Sequence, residues 1–281
     1  MPQSSRAPAL TAALTALALV AFAANSVLCR LALREGAIGA PAFTALRLGA
    51  GALVLLPFLR ARGPREPWSP RSALALALYA LGFSFAYLAL DAGLGALLLF
   101  GAVQGTMIGV GLARGERPGA LRWLGIALAA AGVVVLVRPG GGAPAPRGAL
   151  LMLAAGVAWG AYSLLGRGAP APARASARNF LLAAPLGLAV WALAPGSPTT
   201  LAGALLAVTS GALTSGLGYV LWYAALRGHS ATSAAVVQLL VPLLAALAGV
   251  LLLGEHATPR LWTSAALTLG GVGLAVVARA R

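Results

Sequence analysis

Polar and aromatic side chains are scattered through long apolar runs of this chain, and each needs a physical reason to be there. They are Asn25 and Ser26, then Tyr79, Ser84 and Tyr87, then Gln104 and Thr106. The second half holds Trp159, Tyr162 and Ser163, then Tyr219, Trp222 and Tyr223, and finally Gln238. Polar groups are costly in lipid and turn toward a cavity or another helix. Amides, hydroxyls and aromatic rings together suit a partly apolar organic solute, held by stacking and a few hydrogen bonds. A glutamine near mid-span has few cheaper explanations, so Gln104 and Gln238 lead this set, with Trp159 and Trp222 next. The alternative for each is a hydrogen bond between helices or a place in an interfacial aromatic belt.

These residues do not compose a catalytic set. There is no H-E-x-x-H, no pair of mid-span aspartates and no serine with a basic partner, and His229 and His256 fall in loops. An intramembrane enzyme is therefore not expected, and no catalytic residue, metal site or cofactor is assigned. The single Cys29 excludes an intramolecular disulfide and a cysteine-based metal site. A membrane scaffold or receptor would need soluble surface for partners, yet the longest loops reach only about a dozen residues. The five acids, Glu35, Glu66, Asp91, Glu116 and Glu255, all avoid mid-span. Proton-coupled transporters often relay through a membrane-embedded carboxylate. Its absence points to a facilitator, an exchanger or coupling through another group, and away from a dedicated pump of cationic drugs.

The elements that carry these residues follow from composition. Of 281 residues, 60% are hydrophobic and 9% charged, and the mean hydropathy is +0.91. Soluble domains average about 25% charged residues, so this chain cannot cover a globular surface in water. A soluble enzyme, a disordered chain and a collagen-like chain are excluded. A spanning helix needs about 20 mostly apolar residues. Ten such segments are expected, at 9–32, 42–59, 72–90, 93–113, 120–137, 148–166, 178–194, 201–226, 231–253 and 260–278. Arg6, an apolar run and Ala21-Phe22-Ala23 imitate a cleavable secretory signal, but the apolar character runs on to Leu33, as a spanning helix requires.

All 20 basic residues are arginines, giving a formal net charge of +15. With the N-terminus in the cytoplasm, fourteen fall in inner segments: Arg6, Arg60, Arg62, Arg65, Arg71, Arg114, Arg117, Arg122, Arg167, Arg174, Arg178, Arg227, Arg279 and Arg281. Five fall outside: Arg30, Arg34, Arg138, Arg147 and Arg260. Arg47 lies within a span. This bias is what the positive-inside rule predicts for a multi-pass protein of a bacterial-type cytoplasmic (inner) membrane with both termini cytoplasmic. It accounts for the basic charge without nucleic acid as a partner.

The two halves repeat. Gly115-Glu116 recurs as Gly254-Glu255, Trp123 as Trp262 and Gly132-Val133 as Gly271-Val272, all at an offset of 139. Phe22 to Arg30 matches Trp159 to Arg167 at offset 137, and Gly82 to Leu90 matches Gly218 to Leu226 at offset 136. Each half has five spans, so the second copy enters the membrane from the opposite side. The expected fold class is an all-α integral membrane protein of ten transmembrane helices, built as two inverted five-helix repeats at 1–140 and 147–281. Such repeats serve transport, because each half rocks against the other around a midplane site.

Two five-helix halves, each closing its fourth span with Gly-Glu (115–116 and 254–255) and opening its fifth near Trp123 or Trp262, resemble the EamA-type branch of the drug/metabolite transporter superfamily. The resemblance implies a central cavity lined mainly by the first, third and fourth helices of each half. It also implies export or exchange of small metabolites, amino acids or drugs by a monomer or homodimer in the lipid bilayer. Pro242 fits the family's usual proline in the second copy, but its counterpart in the first is Val103.

Other residues have assignable roles. Pro242 removes a backbone donor from the ninth span and is expected to serve as a hinge or a static kink. Gly101, Gly105 and Gly109 form a stripe suited to close helix packing. Gln104, about 60° from its centre line, stays free to reach a cavity. Ser84, Tyr87 and Asp91 share a helix face, which sets Asp91 at the outer mouth of any cavity. Glu116 and Glu255 are expected to cap the following helix or bind an arginine. Arg47 and its second-half candidate Arg178 are expected to snorkel or pair as anchors, or to bind an anionic substrate.

Overall fold

The computed structural model describes residues 6–60, 67–113, 115, 119–138, 144–166, 169–196, 198–226, 228, 237–238, 240–256 and 258–277. Its named elements are ten helices, here α1 to α10. The first half comprises α1 (Arg6–Arg34), α2 (Ala40–Arg60), α3 (Pro70–Ala86), α4 (Ala92–Ala113) and α5 (Ala120–Val137). The second comprises α6 (Pro146–Leu165), α7 (Pro172–Ala192), α8, α9 (Leu240–Leu253) and α10 (Pro259–Val277). The α8 rod runs as Leu201–Thr209, a π-helical stretch Ser210–Leu217, and Gly218–Leu226. Among the described residues the extended structure is one isolated bridge between Ile38 and Thr199.

Local chemistry sets the helix ends. Pro70, Pro146 and Pro172 occupy the first turn, where a missing N–H removes no intrahelical bond. Ser69 caps α3 by accepting from the Ser72 N–H at 3.3 Å. Gly254, after α9, has a φ of 64°, a left-handed conformation that glycine adopts without strain. That turn lets the Glu255 N–H donate to the Gly249 carbonyl at 3.1 Å and points the acid back into the bundle.

The expected spans correspond to these helices, with shifts. The third ends at Ala86 and closes in a turn at Tyr87, short of residue 90. The seventh begins at Pro172, six residues early, because that proline starts it. The eighth is interrupted by the π-helical stretch, which apolar periodicity does not reveal. In the ninth, residues 231–236 and 239 lie outside the described residues. Five described helices are long and apolar enough to cross a membrane: Ala9–Arg34, Ala40–Arg60, Ala92–Gly111, Pro146–Leu165 and Leu201–Ala225. Pro70–Ala86, Ala120–Leu136 and Leu240–Leu253 are apolar but shorter.

Side chains are distributed inside out relative to a water-soluble fold. Leu17, Leu53, Leu74, Leu150, Leu205 and Leu251 stand exposed, while Asn25, Arg47, Ser84 and Gln104 are buried. An outer surface of leucines is stable in lipid and unstable in water.

Helices of one half pack chiefly on the other. α5 lies on α10, α2 on α7 and α4 on α9. The α3–α6 contact has a counterpart in α8–α1, α4–α6 in α9–α1, and α3–α7 in α8–α2. Exchanging first-half helices for their second-half partners therefore reproduces these contacts. Glycines permit the closest crossings. A Cβ on Gly132 would meet the Thr268 side chain and backbone, and one on Gly271 would meet the Ala129 N. The α4 stripe behaves differently from the close packing expected of it. Gly101 approaches Val133, but Gly105 and Gly109 have nothing within 4 Å of an added Cβ.

Candidate functional site

The centre of the bundle is organised around Arg47, which is 1% exposed. Snorkelling to the surface, one of the roles expected for it, is therefore not what this side chain does. From α2 its Nε donates to Ser215 Oγ at 2.9 Å, and Nη2 donates to Tyr79 Oη at 3.0 Å and to Tyr219 Oη at 3.5 Å. The guanidinium carbon lies 5.1 Å from the Tyr79 ring centroid and 4.9 Å from that of Phe83. Nη1 is buried without a hydrogen-bond partner. A cation out of water requires such compensation from ring faces and hydroxyls.

Asn25 on α1 forms the second node. Its Oδ1 accepts from Ser210 Oγ at 2.7 Å, Thr214 Oγ1 at 3.1 Å and Ser215 Oγ at 3.4 Å. Its Nδ2 donates to Tyr79 Oη at 3.4 Å. The π-helical stretch makes this possible. Residues five apart on an α-helix diverge by about 140°, whereas i to i+5 closure puts Ser210 and Ser215 on one face. Gly211 then lets α8 approach α2 so closely that a Cβ there would collide with the Arg47 carbonyl.

Trp159 is the hub of an aromatic cluster around these groups. Its ring lies 6.2 Å from Phe22, 4.8 Å from Tyr79, 5.3 Å from Tyr162 and 4.8 Å from Tyr219. Phe22 also meets Trp222 at 5.8 Å. Partners in the sequence repeat meet here. Phe22 and Trp159 correspond at offset 137 and touch. Arg47 is held by two corresponding pairs at offset 136, Tyr79 with Ser215 and Phe83 with Tyr219. Arg178, the second-half candidate, sits instead over the Trp68 ring at 4.9 Å.

A charged cluster closes the end of the bundle where α1 and α9 finish and α4 begins. Arg30 pairs with Asp91 at 3.1 Å and Glu255 at 3.5 Å, and donates to the Tyr87 carbonyl at 3.1 Å. The Glu255 carboxylate accepts from the Ala92 N–H at 2.9 Å. It thus binds an arginine as expected, but it caps α4 and not the following helix. Asp91 and Glu255 line a cavity of about 210 Å³ with His256. Glu116, the repeat partner of Glu255, lies outside the described residues. Desolvation by burial raises the Glu255 pKa above its ordinary 4.5. Asp91 adds to this, while the Ala92 N–H and Arg30 oppose it.

The raised value means that this conformer holds the Glu255 proton more tightly than a solvated carboxylate would. Its stabilising contribution is complete below the ordinary carboxylate pKa and is lost as pH rises through the elevated one. Thermal melts should therefore decline across that window, and Glu255→Gln, permanently neutral, should flatten the decline. A slope unchanged in Glu255→Gln would assign it to another group.

The sequence candidates separate into groups. Asn25, Tyr79, Trp159, Tyr162, Tyr219 and Trp222 converge on the Arg47 cluster. The Tyr162 hydroxyl has no hydrogen-bond partner, though Asn179, Ser176 and Tyr223 are its neighbours. Ser163 and Tyr223 are half-buried near the end of α6. Ser26 lies beside Tyr87, whose hydroxyl donates to the Ala92 carbonyl at 3.2 Å. Ser84 donates to its own helix at the Ala80 carbonyl, 2.9 Å away, and Thr106 to Ala102 at 2.8 Å. Gln104 faces away from the cluster. It lines a cavity of about 230 Å³ with Gly105, Ile108 and Thr268, between α4, α5 and α10, and its Nε2 is unpartnered. Gln238 is buried. Pro242, also buried, lies within α9 with helical residues described on both sides of it, at 237–238 and from Leu240 onward.

Five participants were not among the sequence candidates: Phe22, Phe83, Ser210, Thr214 and Ser215. A polar Thr-Ser pair at mid-span and the correspondence of Ser215 with Tyr79 were the available signals. Arg47, the one arginine placed inside a span, is expected from the sequence to anchor a helix or to bind an anionic substrate, and the structure puts it at the centre of the cluster.

A multi-span helical membrane protein with a polar, aromatic centre shared by two corresponding halves belongs to the class of membrane carriers. The comparisons agree. Residues 146–277 match the family model "EamA-like transporter family". The chain is 52% identical to the uncharacterized protein PA1977 of Pseudomonas aeruginosa over 276 residues, covering 96% of this chain and 95% of that one. A solved crystal structure shares the fold with a TM-score of 0.68 at 23% identity, covering 96% of this chain and 99% of the other. The chain belongs to the EamA-like transporter family of the drug/metabolite transporter superfamily.

Proposed function

We propose that this protein is a secondary transporter, an exporter, exchanger or facilitator of small organic metabolites, amino acids or drugs, working by alternating access across the cytoplasmic membrane. One observation carries the reading. Residues that correspond in the two halves meet around Arg47, where a solute would contact both halves at once. The exchangeable packing supports ten spans in two inverted repeats, each half able to rock against the other. With both termini cytoplasmic, the Arg30–Asp91–Glu255 cluster lies on the outer side, so this conformer is shut outward. No described carboxylate lies in the central cluster, which favours exchange or facilitation over a proton relay there.

Reconstituted protein should carry solute between liposome compartments. Trp159→Ala removes a ring shared by four aromatic neighbours and should lower flux at least tenfold, with the protein still folded by circular dichroism. Wild-type flux in Trp159→Ala would place the solute path elsewhere. Uptake that follows an imposed pH gradient and is lost in Asp91→Asn would contradict the uncoupled reading.

A further inference from the structure

We propose that Arg47 anchors the carboxylate of a small organic monoanion whose apolar body lies against Phe22, Trp159 and Trp222. This rests on the transport reading and names the substrate class of the same site. The described acids are all committed elsewhere: Asp91 and Glu255 to Arg30, and Glu35 to Arg34 at 3.8 Å. Among the described residues Arg47 is held by neutral hydroxyls and ring faces, and its charge is left for a ligand to neutralise. The guanidinium edge formed by Nη1 and Nη2 is the available one. Nη1 has no partner, and Nη2 donates to Tyr79 at 3.0 Å but only at a long 3.5 Å to Tyr219, so a ligand oxygen competes for one of its two hydrogens and leaves the Tyr79 bond in place. That edge matches the two oxygens of a carboxylate.

The neighbours narrow the class. A cationic solute meets an unneutralised positive charge at low dielectric, which is repulsive. A second carboxylate finds no second cation in the cluster. The ammonium of an amino acid needs a negative partner to balance its charge, but Asn25 Oδ1 is already taken by Ser210 and Ser215, and the remaining acceptors, such as the unpartnered Tyr162 hydroxyl, are neutral. The rings of Phe22, Trp159 and Trp222 present apolar surface, which suits a hydrocarbon or aromatic body. In this conformer the cluster is closed over Arg47. Binding therefore means that the carboxylate displaces Tyr219 from Nη2, which loosens the contact between α2 and the second half.

The test compares four near-isosteric probes on the full-length protein: 3-phenylpropionate, 3-phenylpropan-1-ol, 3-phenylpropylamine and phenylalanine. Ligand-induced thermal shift gives binding, and liposome efflux gives flux. The expected result is a half-saturating concentration for 3-phenylpropionate at least tenfold below the other three. The preference should vanish in Arg47→Met and shrink in Arg47→Lys, which keeps the charge but loses the fork. Equal or weaker binding of 3-phenylpropionate, binding of none of the four, or a preference that survives in Arg47→Met would each overturn the anchor. Should Arg47→Met fail to fold, a preference in Arg47→Lys equal to wild type would also overturn it. Flux of the uncharged or cationic probes without carboxylate preference removes the anchor and leaves the transport reading standing. Binding of 3-phenylpropionate that depends on Arg47, with no flux of any probe, upholds the anchor and removes the transport reading.

Discussion

Arg47→Met is expected to lower the flux of a transported solute about a hundredfold while leaving the protein folded. Methionine keeps the length and volume of the aliphatic stem, so little cavity opens. The groups that Arg47 leaves behind are not all stranded. Tyr79 still accepts from Asn25, and Ser215 still donates to it. Removing a buried cation whose Nη1 has no partner eliminates a desolvation cost, and such replacements are often neutral or stabilising. Loss of a buried, charged hydrogen-bonding group from a binding site costs about 2–5 kcal/mol of interaction with its partner, and about 2.8 kcal/mol is a hundredfold. Stability and flux should therefore move independently. A purely structural arginine would produce the opposite pattern, a lower melting temperature with flux preserved per folded molecule. Arg47→Ala is a poorer test, since it opens a cavity as well as removing the charge.

Gly211→Val is expected to damage folding severely. The built Cβ at Gly211 runs into the Arg47 carbonyl, and its other close neighbours are the Arg47 backbone C and Cα, both at 2.8 Å. These are backbone atoms of a packed helix and have no rotamer through which to yield. α8 must move off α2, and that movement breaks the Ser215 bond to Arg47. Overpacking costs about 1–3 kcal/mol in ordinary cores, and a β-branched residue against backbone sits at or above that upper end. Gly49 is the control. It lies on α2 two residues beyond Arg47, with nothing within 4 Å of an added Cβ. Gly49→Ala should be neutral or stabilising by about 0.5–1 kcal/mol through helix propensity. Melts of the two variants in the same detergent decide the matter. Equal stability would mean that the close approach of α8 to α2 does not limit the fold.

The helical class and the approximate helix positions were legible because length and hydropathy determine them. Leu17 and Leu53 lie in runs that only a bilayer tolerates, and Pro70, Pro146 and Pro172 mark helix starts by a rule that needs no neighbours. The correspondence of Phe22 with Trp159 was legible as well, and the two rings meet in the structure. The site was legible only in part. Gln104 was a leading candidate because it is a mid-span amide, yet the rotation of α4 turns it toward α5 and α10. Spacing along one helix places residues relative to one another but leaves open which neighbour they face. Ser210 and Ser215 were missed because α-helical periodicity sets them on divergent faces, and only the π-helical stretch aligns them.

Arg47 shows the division most clearly. From the sequence alone it followed that an arginine sits inside a span and that it must find compensation there. Sequence also determined the apolar mass, the arginine bias between the loops and the correspondence of the halves, since each depends on composition or on order along the chain. The tertiary structure decided that the compensation comes from Tyr79, Ser215 and Tyr219 and not from the surface or an acid. It also decided that Asp91 and Glu255, 164 positions apart, share Arg30. The physical reason is that helix rotation and approach depend on how side chains from distant segments fill space together. Gly211 at the Arg47 carbonyl is a place where that filling leaves no room for a Cβ against backbone.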